Sequence, residues 1–244
     1  MRDERELEKE VGVRAETGDM LAYTTPPKCP PMNKKPKITA PLIQQATGAR
    51  AWDIGNNTLY DLCRKYPDHT DDKAIIAKVW IIGRTYSAAI ERRKPGKAPT
   101  PTGDGFYTDH VAPGIRNSPM DEWLSRLMPR GSVNYNSLPQ ILDAHAKVTE
   151  LFRSLTGLNK RSLASKYLHF HFPTLFFIYD TRAVDAVRKL SAITAPTSDY
   201  GEADKEYGPF AERCLQIRDY IKEQYGSTLT PRQLDNLYLD LSLQ

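Results

Sequence analysis

The sequence predicts an all-α protein with a poorly ordered N-terminal segment, on three observations. Apolar residues recur at helical spacing through most of the chain after residue 37. Helix start and stop signals bracket those stretches. One short run, "TLFFIY" (174–179), has the composition of a strand, and it is too isolated to define a sheet.

The elements follow in chain order. Residues 1–37 include "TTPPKCPPMNKKPK", where proline alternates with lysine, which suits an extended solvated segment rather than a packed one. Residues 38–244 are expected to form one helical domain. "NNTLYDLCRKY" (56–66) reads as a short helix. "DDKAIIAKVWIIGRTYSAAIERR" (71–93) reads as a long one, capped by Thr70 or Asp71 and stopped by Pro95 and Gly96. "RRKPGKAPTPTGDGFYTDHVAPG" (92–114) reads as a long loop rich in proline and glycine. "SPMDEWLSRLM" (118–128) opens with serine, proline and an acid, a helix start. In 137–155 the apolar positions are Ile141, Ala144, Val148, Leu151 and Phe152, again helical spacing. Residues 147–169 read as helix, tight turn, helix. The helix over 210–226 ends on Gly226, and that over 230–241 opens on Thr230 and Pro231 with Gln233 at the capping-box position.

Bulk properties exclude several classes. At 244 residues with 40% hydrophobic and 26% charged content, the chain can bury a sizeable core. No apolar run approaches the ~18 residues of a membrane span. The start, "MRDERELEKE", lacks the apolar core of a secretory signal. Cys29, Cys63 and Cys214 lie far apart and form no CxxC pair, which argues against a disulfide scaffold, a zinc site or an iron–sulfur cluster. A reducing cytoplasm, no membrane and no cofactor are the expectation. His169 and His171 stand two apart, with His145 and His110 elsewhere, and no clear third ligand completes a metal site.

Net charge is +4, with a pI near 8.8. Its placement says more than its size. Lys147, Arg153, Lys160, Arg161 and Lys166 face only Glu150 within their segment; Arg84, Arg92, Arg93, Lys94 and Lys97 face only Glu91. Such local excess suits a face that tracks phosphates. A solvated helix end with favourable dipole charges accounts for Arg92 to Lys97 equally well.

The stretch "LTGLNKR" (155–161) resembles the hairpin of the helix-hairpin-helix DNA glycosylases, and "YDTRAVDAV" (179–187) resembles the segment that carries their catalytic aspartate. The spacing from Arg161 to Asp180, nineteen residues, is also similar to that family's. The resemblance spans roughly 45 residues. It implies a DNA glycosylase-like helical domain, expected as a monomer, acting on double-stranded DNA with a modified base. Asp180 and Lys166 are the implied catalytic residues. Gly157, Asn159, Lys160, Arg161 and Arg182 would contact DNA. Tyr86, Phe106, Tyr107 and His169 would form the base pocket, with Phe106 and Tyr107 as a loop pair able to stack or to wedge strands apart.

The chemistry fits these residue types. A turn glycine lets backbone N–H groups approach a phosphate, and Asn159, where the family has a second glycine, still tolerates a left-handed conformation. A carboxylate near the sugar stabilises positive charge as the glycosidic bond breaks. Family members that also cut the strand use a lysine that forms a Schiff base, at the position of Arg161 here; arginine stays protonated, which favours base removal alone. Lys160 and Lys166 are the nearby lysines that could restore strand cleavage. The similarity to antiphage glycosylases that excise glucosylated hydroxymethylcytosine suggests antiviral defence, with repair of damaged bases as the other role. Two further readings stay open: a helix-hairpin-helix module that binds DNA without chemistry, with Asp180 only a helix cap, and an RNA-cleaving helical domain. For the last, the spacing from Arg161 to His169 is longer than the arginine–histidine pattern of HEPN-type nucleases.

Overall fold

Ten α-helices and one π-helical turn make up the regular structure of the described residues, and no strand occurs among them. The structure, a computed structural model, describes residues 38–92, 102–127, 131–195 and 204–243. The Pro/Lys-containing segment 1–37, Cys29, Arg93, Lys94 and Lys97 lie outside the described residues.

The helices are α1 (Ala40–Thr47), α2 (Asp53–Lys65), α3 (Asp72–Thr85), α4 (Ala112–Arg116), α5 (Met120–Ser125), α6 (Leu138–Thr156), α7 (Arg161–His171), α8 (Thr181–Lys189), α9 (Tyr207–Tyr225) and α10 (Pro231–Ser242). Local chemistry sets many of their ends. Asp71 caps α3 by accepting the Lys73 N–H. Thr230 and Gln233 form the full reciprocal capping box of α10. Gly157 and Gly226 end α6 and α9 in the left-handed conformation, at φ 72° and 68°.

Helices α6 and α7 pack as a hairpin, and α7 also packs on α2 and α3. Helix α10 lies against α1 and α8, while α9 lies against α6 and α8. Helix α7 is therefore covered on every side, and Leu163 through Phe170 are buried without exception. That run includes Ser165, Lys166 and His169. Polar groups this deep must find partners, and where they find them defines the site. Among the described residues no helix is long and apolar enough to cross a membrane. Cys63 and Cys214 are buried and unbridged.

Two expectations are corrected. The long helix over 71–93 stops at Thr85. Ser87 takes a positive φ of 54°, the chain doubles back, and the Ala88 N–H donates to the Gly83 carbonyl at 2.7 Å. A Cβ on Gly83 would lie only 3.3 Å from the Ala89 Cα, so the glycine permits the close return. Ala89 and Ile90 reach the core from this turn. The stretch 92–114 is not all loop either: Phe106–Val111 form the π-helical turn, which runs into α4. In keeping with its isolation, "TLFFIY" forms no strand: Thr174 and Leu175 lie in a turn, and 176–179 take no regular structure. Side chains bind its backbone instead: the Phe176 carbonyl lies 2.8 Å from His169 Nδ1, and the Phe177 carbonyl accepts from Tyr207 Oη at 3.0 Å.

Candidate active site

The apolar run delivers Asp180 to α7. Leu175, Phe176, Phe177 and Ile178 are buried in the core, which fixes the run in place. At its end Ser165 Oγ accepts the Tyr179 N–H at 3.0 Å. The next residue, Asp180, is the N-cap of α8, its Oδ1 accepting the Ala183 N–H at 3.0 Å. Its other oxygen, Oδ2, lies 3.4 Å from Lys166 Nζ.

Lys166 has three partners for its three protons: Ser162 Oγ at 2.9 Å, the Tyr86 carbonyl at 3.4 Å and Asp180. Burial lowers its pKa from the ordinary lysine value, opposed by the charges of Asp180 and Asp235. Exposure across the pair is uneven, 2% for the Lys166 side chain and 30% for that of Asp180. The pair is thus closed behind the ammonium and open to solvent at the carboxylate.

An aromatic and charged cluster backs the pair. The Lys166 ammonium lies 5.9 Å from the Tyr86 ring centroid, and the Arg232 guanidinium lies 5.5 Å from the same centroid. Arg232 also covers Phe170, binds Asp235 through Nη1 at 3.0 Å, and donates from Nε to Tyr60 Oη at 3.2 Å. Tyr60 Oη in turn bonds His169 Nε2 at 2.7 Å. Tyr86 donates its hydroxyl to Asn56 at 2.5 Å. Burial drives several of these groups from their usual values. It pushes Tyr86 up to about 12 and His169 down to about 3, and both are neutral at pH 7. Asp235 rises to about 6 through burial, which the Arg232 charge only partly offsets.

The other residues singled out in the sequence fall in varied places. Gly157 has the left-handed conformation the turn requires. The hairpin's basic residues do not form an open grip. Lys160 is buried, donates to the Ala89 carbonyl at 2.9 Å, and is lowered to about 8 by burial and the Arg92 charge. Arg161 binds both oxygens of Asp204 through Nε, at 2.6 and 2.8 Å, and Glu206 at 2.9 Å. Lys147 pairs with Asp143 and Arg153 with Glu150, each at 2.6 Å. Lys147 and Arg153 are therefore paired with acids one turn away in their own helix, and Arg161 with acids that sequence position alone did not set against it. Arg84 pairs with Glu91.

Within the turn, the Gly157 N–H donates to Arg153, the Leu158 N–H to Thr156 Oγ1 and the Arg161 N–H to Asn159 Oδ1. Asn159 serves the turn itself. Arg182, in the first turn of α8, is exposed. Phe106 is 1% exposed and packs in the core, so it offers no surface for stacking or wedging. Tyr107 is half-buried and donates to Glu91 at 2.6 Å. Neither aromatic sits in an open loop, because the π-helical turn folds both against the body. His169 is fully buried, its ring nitrogens occupied by Tyr60 and the Phe176 carbonyl.

Tyr60, Asn56, Arg232 and Asp235 had no sequence signal that set them apart, since each sits in an ordinary amphipathic helix. The large exposed residues Trp52 and Ile54, 77% and 83% exposed, flank the start of α2. Trp52 stands one helical turn before Asn56 and two before Tyr60. Among the described residues no group of three or more His, Cys, Asp or Glu is placed to hold a metal ion. No protein-family model matches the chain, and no characterised protein or solved structure does either.

Proposed function

We propose that the chain is a DNA glycosylase that hydrolyses the N-glycosidic bond of a modified base in double-stranded DNA and leaves the strand intact. One observation carries this reading: the Asp180 carboxylate opens α8 with one oxygen in the helix cap and the other on the buried Lys166 ammonium. A carboxylate so fixed, open on one side, is suited to stabilising a sugar cation. Water oxygen bonds to C1′ as the glycosidic electron pair leaves with the base. Asp180 takes the water proton, and the departing base is protonated from solvent. Lys166, held between Ser162, Tyr86 and Asp180, orients the carboxylate.

The surface around the site suggests how DNA is held. Lys160 and Arg161 are occupied within the fold, so phosphate contact falls to exposed groups such as Arg182. Trp52 and Ile54, at the end of α2 that leads to Asn56, suit stacking on unpaired bases where Phe106 does not. The departures at Asn159 and Arg161 from the family pattern favour a specialised substrate, with glucosylated hydroxymethylcytosine in phage DNA, and hence antiviral defence, the first to test.

The test is incubation with DNAs bearing different modified bases, phage genomes included, with released bases identified by mass spectrometry. Release by the wild type and none by Asp180→Asn, with DNA affinity within a few fold, supports the reading. Equal release by the variant removes Asp180 from the mechanism, and binding without release by either protein favours the non-catalytic module, in which Asp180 is a cap alone. A borohydride-trapped adduct lost on Lys166→Arg would overturn the hydrolytic mechanism.

A further inference from the structure

Two cations and two carboxylates meet in the cluster behind the candidate site, and with all four ionised their charges sum to zero. Lys166 and Asp180 come from α7 and from the start of α8, while Arg232 and Asp235 come from α10, which packs on α8. Tyr86 presents its ring to both cations.

We propose that Asp235 is a positioning residue of this site: clamped by Arg232, its carboxylate is the second anion that keeps the buried Lys166 ammonium charged and fixed on Asp180. The proposal deepens the base-excision reading and rests on it for its catalytic consequence.

Asp180 alone is a weak counter-ion for Lys166. It stands 3.4 Å away, is partly exposed to water, and spends its other oxygen on the α8 cap. Lys166's other two partners, Ser162 Oγ and the Tyr86 carbonyl, are neutral. Asp235 is 6% exposed, so water screens it little, and its charge acts on Lys166 together with that of Asp180.

The remaining groups facing Asp235 do not replace it. Tyr60 from α2, Tyr86, Cys214 from α9 and Tyr238 on its own helix are ordinarily neutral at pH 7 and burial raises each further, while burial keeps His169 from α7 neutral. Removing the Asp235 charge leaves one buried positive charge too many. Arginine does not give up its proton, so the excess is relieved at Lys166. A discharged Lys166 loses its ion pair with Asp180 and frees that carboxylate from its set orientation.

The experiment is an NMR titration of protein labelled with 13C at the lysine ε-carbons, with the Lys166 signal assigned by its loss in Lys166→Arg. In Asp235→Asn the Lys166 midpoint is expected to fall by about one pH unit or more relative to the wild type. In the wild type alone, the Lys166 signal is expected to shift a second time near pH 6, as Asp235 takes up its proton. That second reading needs no variant to fold. An unchanged midpoint in the variant, or a wild-type Lys166 signal with no second shift at any pH where the protein stays folded, overturns the proposal. Wild-type base release measured in parallel keeps the two ideas apart: its absence fails the glycosylase reading, while the titration decides Asp235.

Discussion

Ser165 Oγ accepts the Tyr179 N–H at 3.0 Å, and this bond joins the end of the apolar run to the buried helix one residue before Asp180. It sets the carboxylate opposite Lys166, which lies next to Ser165 in the chain. Ser165→Ala is expected to leave the Tyr179 N–H without this partner and cost about 1–3 kcal/mol of stability, read by urea denaturation. Base release is expected to fall more than DNA affinity does, because the carboxylate loses its fixed position.

Asp180 has two separable roles. Asn is as good an N-cap as Asp, whereas Ala is poor. Asp180→Asn is therefore expected to keep the stability contributed by the cap, and Asp180→Ala to lose about 1 kcal/mol of it, seen as a lower melting temperature. Both are expected to be inactive. A pair of variants equal in stability would mean that the Ala183 bond contributes nothing to the cap.

Arg161 is predicted to matter for folding rather than for DNA. Its guanidinium binds Asp204 and Glu206, and Asp204 is only 7% exposed. Arg161→Gln leaves the Asp204 carboxylate without that partner and is expected to destabilise the protein by about 3 kcal/mol. The salt dependence of DNA binding is expected to stay unchanged, since no phosphate contact is lost. A shallower slope of affinity against salt would place Arg161 on the DNA after all.

Exposed Trp52 is predicted to contact DNA. Trp52→Ala is expected to weaken binding by about 1–3 kcal/mol, measured by fluorescence anisotropy, with no loss of thermal stability. Unchanged affinity would remove the start of α2 from the interface.

Buried histidines make the fold sensitive to acid. Burial and the Lys78 charge lower His69 to about 4, against the pull of Asp121, and burial lowers His169 to about 3. Both bind protons more readily once unfolded, so their stability is fully present above about pH 6.5 and lost as pH falls towards 4 and 3. For His69 the difference amounts to roughly 3 kcal/mol. Urea midpoints measured from pH 7 down to pH 4 are expected to drop steadily, and His69→Gln to flatten part of that fall. A flat profile would mean that the histidines are charged in the folded protein.

The sequence by itself determined the helical class and many of the element ends. Thr230 with Gln233, Asp71, Gly157 and Gly226 act on groups within a few residues of themselves, so local spacing reveals them. It also pointed to Asp180 and Lys166, though not to their contact. Only the tertiary structure decided which charges are available. Arg161 meets Asp204 across 43 positions, and Arg232 meets Tyr60 across 172. A run of basic residues thus read as an open phosphate-tracking face, although the fold neutralises it. Periodicity shows which face of a helix is apolar, but not that α7 is covered on its polar face as well. That covering comes from helices distant in the chain, and it takes Lys166, His169 and Asp235 out of water. Away from water their interactions strengthen, and these ordinary residues become a candidate site.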